Sequence, residues 1–299
     1  MEPLISIVIP TYNHAHFLGR ALQAVINQTY TNWEAVIVDN HSQDNTIEVI
    51  ESFNDHRIKF LQIHNQGVIA ASRNLGIISA RGEWIAFLDS DDYWYPQKLE
   101  VVTDCIRKEP GWDVVSTDEL LINVNTGEKR VLRYGPATGS FYRTMILEGN
   151  RLSPSATLVR TDFIRQQHIL FSESKEYITV EDYDFWLHLA LADAKFRFIP
   201  SVQGEYTIHA TNGSAQMERH NRNCRILLHD HIFRIQQFDP DHERLWKTVL
   251  PRLQLSQVGQ LIADGKKMQA CKLIGRALLT NPLNTLSFLL SRLRTRKNK

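Results

Sequence analysis

The chain is poor in cysteine: Cys105, Cys224 and Cys271 are its only three, far apart, odd in number and without a CxxC pair. That usage excludes a disulfide scaffold and points to reduced thiols in a cytoplasmic compartment. No apolar run approaches the roughly 18–20 residues that a bilayer-crossing helix needs. The opening, MEPLISIVIPTYN, lacks the basic flank and small-residue cleavage site of a secretory signal. The expectation is a cytoplasmic protein, soluble or peripheral at the inner face of the cytoplasmic membrane. Glycine-rich phosphate loops are missing too. No GxGxxG follows the first apolar run, and neither GxxxxGKS nor GxxxxGKT occurs, which removes the usual dinucleotide and P-loop sites.

What is present is an ordinary globular composition, 43% hydrophobic and 22% charged over 299 residues, enough to fold without disulfides or metal. The net charge of +1 hides an asymmetry. Residues 266–299 hold nine Lys/Arg and no Asp or Glu, which leaves 25 basic against 33 acidic groups in the rest. The body is mildly acidic and carries no basic stripe, so a nucleic-acid role is not expected.

Apolar runs alternate with helix-like segments through the first 115 residues. Strands are predicted at Leu4–Ile9, Glu34–Val38, Ile58–Ile63, Trp84–Leu88 and Val114–Val115. Helices are predicted at Phe17–Ile26, Thr46–Phe53, Ile69–Ser79 and Gln97–Arg107, with Pro96 suited to the first turn of the last. This alternation predicts an α/β fold, a mostly parallel sheet flanked by helices. The middle adds strand candidates at Leu120–Val124, Ala156–Val159, Phe196–Ile199 and Gln203–Ile208, and a helix over Tyr183–Ala192. The last 80 or so residues read as helices broken near Asp239-Pro240 and Asn281-Pro282.

Ligands of such sheets bind at the carboxyl ends of the strands. Pro10-Thr11-Tyr12-Asn13, Asp39-Asn40-His41-Ser42-Gln43-Asp44 and Asp89-Ser90-Asp91-Asp92 fall there. Two carboxylates two residues apart can hold one hard divalent cation, Mg²⁺ or Mn²⁺, and leave positions for substrate phosphates. Alone, Asp89-Ser90-Asp91 reads more readily as a solvated turn, and Asp92 as an acid ahead of a helix start.

The motifs Ile5–Asn13, Val38–Thr46, Ala71–Gly76 and Gly82–Asp92, followed by Val180–Trp186 and Tyr206–His209, closely resemble the family 2 glycosyltransferases. The resemblance covers about residues 4–215. It implies the Rossmann-like GT-A fold and inverting transfer of a sugar from a nucleotide diphosphate donor (UDP-, dTDP- or GDP-linked) to an acceptor hydroxyl. It further implies a catalytic domain over 1–218, divided into a nucleotide-sugar half (1–115) and an acceptor half (116–218), with a helical extension over 219–299. By the same resemblance Pro10, Thr11 and Tyr12 line the base and Asp39 hydrogen-bonds it. Arg73 lies near the nucleotide and diphosphate, Asp89 contacts ribose or metal, and Asp91 is the direct ligand of Mn²⁺ or Mg²⁺. In the pair Glu181-Asp182, Asp182 matches the general base, with Asp184 in reserve; such acids also suit a helix N-terminus on their own. Phe185 and Trp186 read as core.

His209 stands where relatives carry a histidine near the diphosphate, and a neutral imidazole could complete the metal shell. Thr207 occupies a position where relatives often have Arg. His220, Cys224, His229 and His231 superficially suggest zinc, but their spacing fits a polar helix face better. At the end, Leu283, Leu286, Leu289, Leu290 and Leu293 recur at helical spacing before Arg292, Arg294, Arg296, Lys297 and Lys299. Such a helix either lies on an anionic membrane or packs on the protein with a solvated end. A glycan or lipid-linked acceptor in surface polysaccharide or glycolipid synthesis suits the first. Two other functions remain open here. A nucleotidyltransferase would need a glycine-rich basic loop after the first strand, where Tyr12–His16 stands instead. A degenerate nucleotide-sugar-binding module would have lost part of the set Asp39, Asp89, Asp91 and Asp182.

Overall fold

The computed structural model describes residues 2–137, 139–209, 217–263 and 265–297, with side chains for all but residues 260, 263 and 291–297. The chain divides into two compact units, Met1–Phe141 with Arg151–Asn212, and Tyr142–Asn150 with Gly213–Lys299.

The first unit is built on one nine-stranded sheet. Its strands are β1 (Ile5–Thr11), β2 (Trp33–Asp39), β3 (Ile58–Gln62), β4 (Trp84–Phe87), β5 (Tyr93–Trp94), β6 (Val114–Asn123), β7 (Lys129–Leu132), β8 (Thr157–Arg160) and β9 (Phe196–Ile208). The order is β3-β2-β1-β4-β8-β6-β9-β5, with β7 beside β6. From β3 to β4 every pairing is parallel. Beyond β4 the sheet is mixed: β8 runs against β4 and β6, and β5 against β9, while β9 runs parallel to β6. Every residue of β1 and β2 is buried, as expected for strands covered on both faces.

The covering helices are α1 (Ala15–Ile26), α2 (Thr46–Ser52), α3 (Ile69–Ser79) and α4 (Lys98–Lys108), joined later by α6 (Thr161–Gln167) and α7 (Glu181–Leu191). Between them, α5 (Phe141–Glu148) belongs after its first residue to the second unit. α1 buries Ala15, Leu18, Ala21, Leu22 and Val25, the helical stripe that fixes it on the sheet. α3 approaches closely enough that a Cβ at Gly76 would lie 2.3 Å from Val8 Cγ1. Only glycine fits that contact.

The predicted strands and helices of the first 115 residues are all present, with ends shifted by a few residues. Two pairs of predicted strands merge. β6 joins Val114–Val115 to Leu120–Val124 through Ser116, Thr117, Asp118 and Glu119, which are polar yet buried and so broke the apolar pattern. β9 joins its two halves across Pro200, where the pairing with β6 slips from Ile199 to Val202 because proline has no N–H to donate. Pro96 lies before α4 rather than in its first turn, and Gln97 is the N-cap. β5, β7, α5 and α6 were not expected.

The second unit holds α8 (Met217–Asp230), which continues as a π turn over His231–Ile235, then α9 (His242–Ser256), α10 (Val258–Ala263), α11 (Lys267–Thr280) and α12 (Pro282–Lys297). Breaks fall near Asp239-Pro240 and Asn281-Pro282 as expected, whereas those between α9 and α10 and between α10 and α11 were not expected. Asp241 caps α9 by accepting from the Arg244 N–H at 2.9 Å, and Asn281 Oδ1 accepts from the Asn284 N–H at 3.1 Å to open α12. No described helix is long and apolar enough to cross a membrane.

Gly76→Ala is expected to lower stability by about 1–3 kcal/mol through overpacking on Val8, measured by urea unfolding. An unchanged midpoint would show that α3 is free to shift outward.

Candidate active site

Parallel register delivers the three polar clusters to one edge of the sheet. Thr11 at the end of β1 pairs with Asp39 at the end of β2, and Leu88, just past β4, donates its N–H to Val8 O at 3.0 Å. β9 returns beside β6 and β5 and brings His209 to the same edge.

At the end of β2, Asp39 is fully buried. It accepts from the Ser42 N–H at 3.0 Å and from Gln62 Nε2 at 3.2 Å. The Ser42 contacts close a local Asx-type turn. Asn13, with φ of 51°, ties this turn to the end of β1 by donating its N–H to Ser42 Oγ at 2.8 Å and accepting from the Gln43 N–H at 2.7 Å. Pro10 and Thr11 are buried in β1, whereas Tyr12 is 51% exposed.

At the end of β4 the acids lie among unlike partners. The Asp89 N–H donates to Ser155 Oγ at 3.0 Å, while its carboxylate accepts from Arg73 Nη2 at 2.7 Å. Asp91 Oδ2 meets His209 Nε2 at 2.8 Å. Burial, then the neighbouring charge of Asp89, pushes the Asp91 carboxyl above the usual carboxylate range despite both His209 and His14. Asp92 is not an acid ahead of a helix. It is buried, accepting from Ser155 Oγ at 2.6 Å and from the Thr207 N–H at 2.9 Å, so it fastens the turn to β9.

Arg73 on α3 joins this turn to the downstream acid pair. Its guanidinium is buried, with Nη1 2.8 Å from Glu181 Oε1 and Nη2 2.7 Å from Asp89 Oδ1. The ion pair is internal and twofold rather than a surface contact. The two carboxylates hold the guanidinium charged, overcoming its burial, and the Phe171 ring lies 5.4 Å below it. Glu181 and Asp182 occupy the first turn of α7, where the helix dipole favours acids. Burial, then the charge of Glu181, raises the Asp182 carboxyl to about 7, with Arg73 pulling the other way. Asp184, also buried, lies 3.6 Å from His188 Nε2 one turn along. Phe185 and Trp186 are fully buried, and Phe185 stacks on Phe171 at 4.1 Å.

His14 was not foreseen. It is the N-cap of α1, and its Nδ1 shares a 2.8 Å hydrogen bond with the buried hydroxyl of Ser90, between the two turn acids. Its ring lies 6.2 Å from that of His209, and Phe17 packs 4.5 Å from His209. No sequence signal marked it, since only folding brings residues 14 and 90 together. The residues that superficially suggest zinc do not gather into a metal site among the described residues, in keeping with the polar-helix reading. His229 stacks on Phe233 at 4.5 Å and His231 Nδ1 lies 3.0 Å from Tyr142 Oη. No three of His220, Cys224, His229 and His231 gather within 4.8 Å among the described residues.

Residues 6–155 match the family model "Glycosyl transferase family 2". The chain is 30% identical over 186 residues to the UDP-Glc:alpha-D-GlcNAc-diphosphoundecaprenol beta-1,3-glucosyltransferase WfgD of Escherichia coli, covering 62% of this chain and 69% of that protein. It is 30% identical over 216 residues to a chondroitin synthase of Pasteurella multocida, covering 71% of this chain and only 21% of that protein. Among solved structures, S. aureus TarS 1–349 in complex with UDP-GlcNAc superposes with a TM-score of 0.65 at 20% identity, over 92% of this chain and 81% of that one. The mannosyltransferase PcManGT of Pyrobaculum calidifontis, in complex with GDP-Man and Mn²⁺, gives 0.62 at 15% identity, over 99% and 81%. The chain belongs to the family 2 glycosyltransferases, enzymes of sugar transfer from nucleotide-sugar donors, and its sheet with flanking helices has the expected GT-A architecture.

Arg73→Met is expected to cost about 3–5 kcal/mol in urea unfolding, because it leaves two carboxylates facing each other without a cation. Adding Glu181→Gln should recover part of that loss; no recovery would place the cost elsewhere. His14→Ala is expected to raise the KM for the sugar donor about two- to tenfold, the worth of one hydrogen bond. His14→Asn should restore much of it, and an unchanged KM in the alanine variant would show that the turn holds itself.

Proposed function

We propose that this enzyme transfers a sugar, with inversion, from a UDP-, dTDP- or GDP-linked donor to an acceptor hydroxyl, with Asp182 as the general base. The observation that carries the assignment is the division of labour in the acid pair. Glu181 is held by Arg73, whereas the Asp182 carboxyl sits at about 7, the range in which a base works best at neutral pH. The ionised Asp182 accepts the hydroxyl proton as the acceptor oxygen bonds to the anomeric carbon. The bond from that carbon to the phosphate oxygen breaks, and its electron pair leaves with the nucleoside diphosphate. One displacement from the opposite face inverts the configuration.

The donor lies along the strand ends, its base near Pro10, Thr11, Tyr12 and Asp39 and its diphosphate toward Asp89 and Asp91. Arg73, with both terminal nitrogens on carboxylates, serves by holding Asp89 in place. The residues also fit a divalent cation. Asp91 and Asp89 supply hard oxygens and His209 a nitrogen, with Asp91 Oδ2 and His209 Nε2 already 2.8 Å apart. Mn²⁺ or Mg²⁺ bound there would neutralise charge on the departing diphosphate, and the Mn²⁺ in the mannosyltransferase complex supports that reading. The acceptor is a glycan or lipid-linked sugar of a surface polysaccharide or glycolipid, a reading supported by the diphosphoundecaprenol acceptor in the name of the E. coli relative. A lipid-linked acceptor would support work at a membrane surface, which we take as the cytoplasmic face.

A panel of nucleotide sugars with Mn²⁺ is expected to show release of nucleoside diphosphate, lost on chelation and regained with metal. Pyrophosphate release would indicate nucleotidyl transfer, and binding without turnover a non-catalytic module. Because protonation disables Asp182, kcat/KM should fall about tenfold per pH unit below about 7. Asp182→Asn should nearly abolish transfer while donor binding stays intact. Substantial residual transfer would move the base to Glu181 or Asp184.

A further inference from the structure

The second unit carries an apolar surface that its own packing does not use. Its core joins Leu255, Val258, Ala270 and Ala277 with Leu261, Leu273, Ile274, Phe288 and Leu289. On α12 the inward positions are Thr285, Phe288 and Leu289. Thr285 is fully buried, and its hydroxyl donates to Asn281 O at 2.8 Å. Leu283, Leu286 and Leu290, at i, i+3 and i+7, form a second stripe on the other side and are 79%, 50% and 56% exposed. Leu279, at the end of α11 just before this stripe, is 89% exposed. Leucines repeated on an outward helical stripe are not the scattered exposure of an ordinary surface.

The charge of the sequence that carries the stripe selects its occupant. From residue 266 to the end there are nine Lys/Arg and no acid. A second copy docking through residues 266–299 would bring two stretches of the same sign of charge together, neither of which contains an acid. A nucleic acid would satisfy the cations but leave the leucines in water. An anionic lipid surface meets both demands, phosphate headgroups for the cations and acyl chains for the leucines.

We propose that α12 lies on the surface of an anionic bilayer, inserting Leu283, Leu286 and Leu290, while the net positive charge of residues 266–299 draws this part of the chain to the headgroups. The leucines without the cations would bind neutral and anionic bilayers alike, and the cations without the leucines would release at moderate salt. The two together make an interfacial anchor. The inference draws on the sugar-transfer reading only for why a membrane matters. Vesicle binding is measured without donor or acceptor, so failure of the anchor and failure of the enzymatic assignment are read separately.

The full chain is incubated with vesicles of phosphatidylcholine alone or mixed with phosphatidylglycerol, then sedimented at low and high salt. Binding is expected only with phosphatidylglycerol, and should weaken as salt rises. Leu283→Ser/Leu286→Ser/Leu290→Ser should reduce it more than tenfold. Arg292→Gln/Arg294→Gln should reduce it by about fivefold per cation removed. Both variants are checked by circular dichroism and by release of nucleoside diphosphate in solution, which should match the parent because neither changes a residue assigned to the donor site. Equal binding to neutral vesicles, no binding to either, or leucine variants that bind as the parent does would overturn the proposal. So would a parent chain that is dimeric in sedimentation equilibrium and becomes monomeric on leucine substitution, since the stripe would then be an interface between copies.

Discussion

The site depends on one buried cation. Arg73 holds Asp89, from the turn after β4, and Glu181, from the start of α7, in two bonds of 2.7 and 2.8 Å. Those two acids are 92 positions apart in sequence, and each would repel the other without the guanidinium between them. Burying such a charge is unfavourable unless its partners are well placed, and here two are. The arrangement thereby couples two functions in one set of atoms. The acid proposed for the donor side and the acid beside the proposed base are held by the same planar group, whose fork geometry lysine does not reproduce.

The two ends of the sheet show what this coupling leaves over. Glu34, at the start of β2, is also a buried acid. Burial pushes its carboxyl up, but Ser6, Lys59 and Arg81 donate to it and hold it down at about 2. Its charge is fully answered inside the protein. At the carboxyl end, burial and then the charge of Asp89 raise the Asp91 carboxyl, and the His209 imidazole does not offset them. The same sheet therefore satisfies an acid where it serves the fold and leaves one less compensated where a cation is proposed to bind.

Much of this was legible in the sequence because parallel strands make position predictable. Once β1, β2 and β4 are recognised, Thr11, Asp39 and Asp89 must fall at one edge, and the acid pair 181–182 opens a helix by composition alone. What stayed hidden depends on contacts between distant segments. His14 against Ser90, Ser155 between Asp89 and Asp92, and the double use of Arg73 each join residues that no local pattern relates. β6 was split because four of its residues are polar and buried, which periodicity reads as a break. Asp92 looked like a helix cap because its neighbours suggest one, whereas β9 supplies its partner at Thr207 from 115 positions away.

The central claim is that the acids at the end of β4 form a cation site that works with the nucleotide. Free Mn²⁺ has a six-line EPR spectrum in solution that disappears on binding, so titrating the protein with Mn²⁺ and a nucleoside diphosphate reports the site directly. The account expects the nucleotide and the protein together to remove the free signal, and Asp91→Asn to restore it while the fold is retained. Loss of the signal to the same extent in Asp91→Asn as in the parent would contradict it.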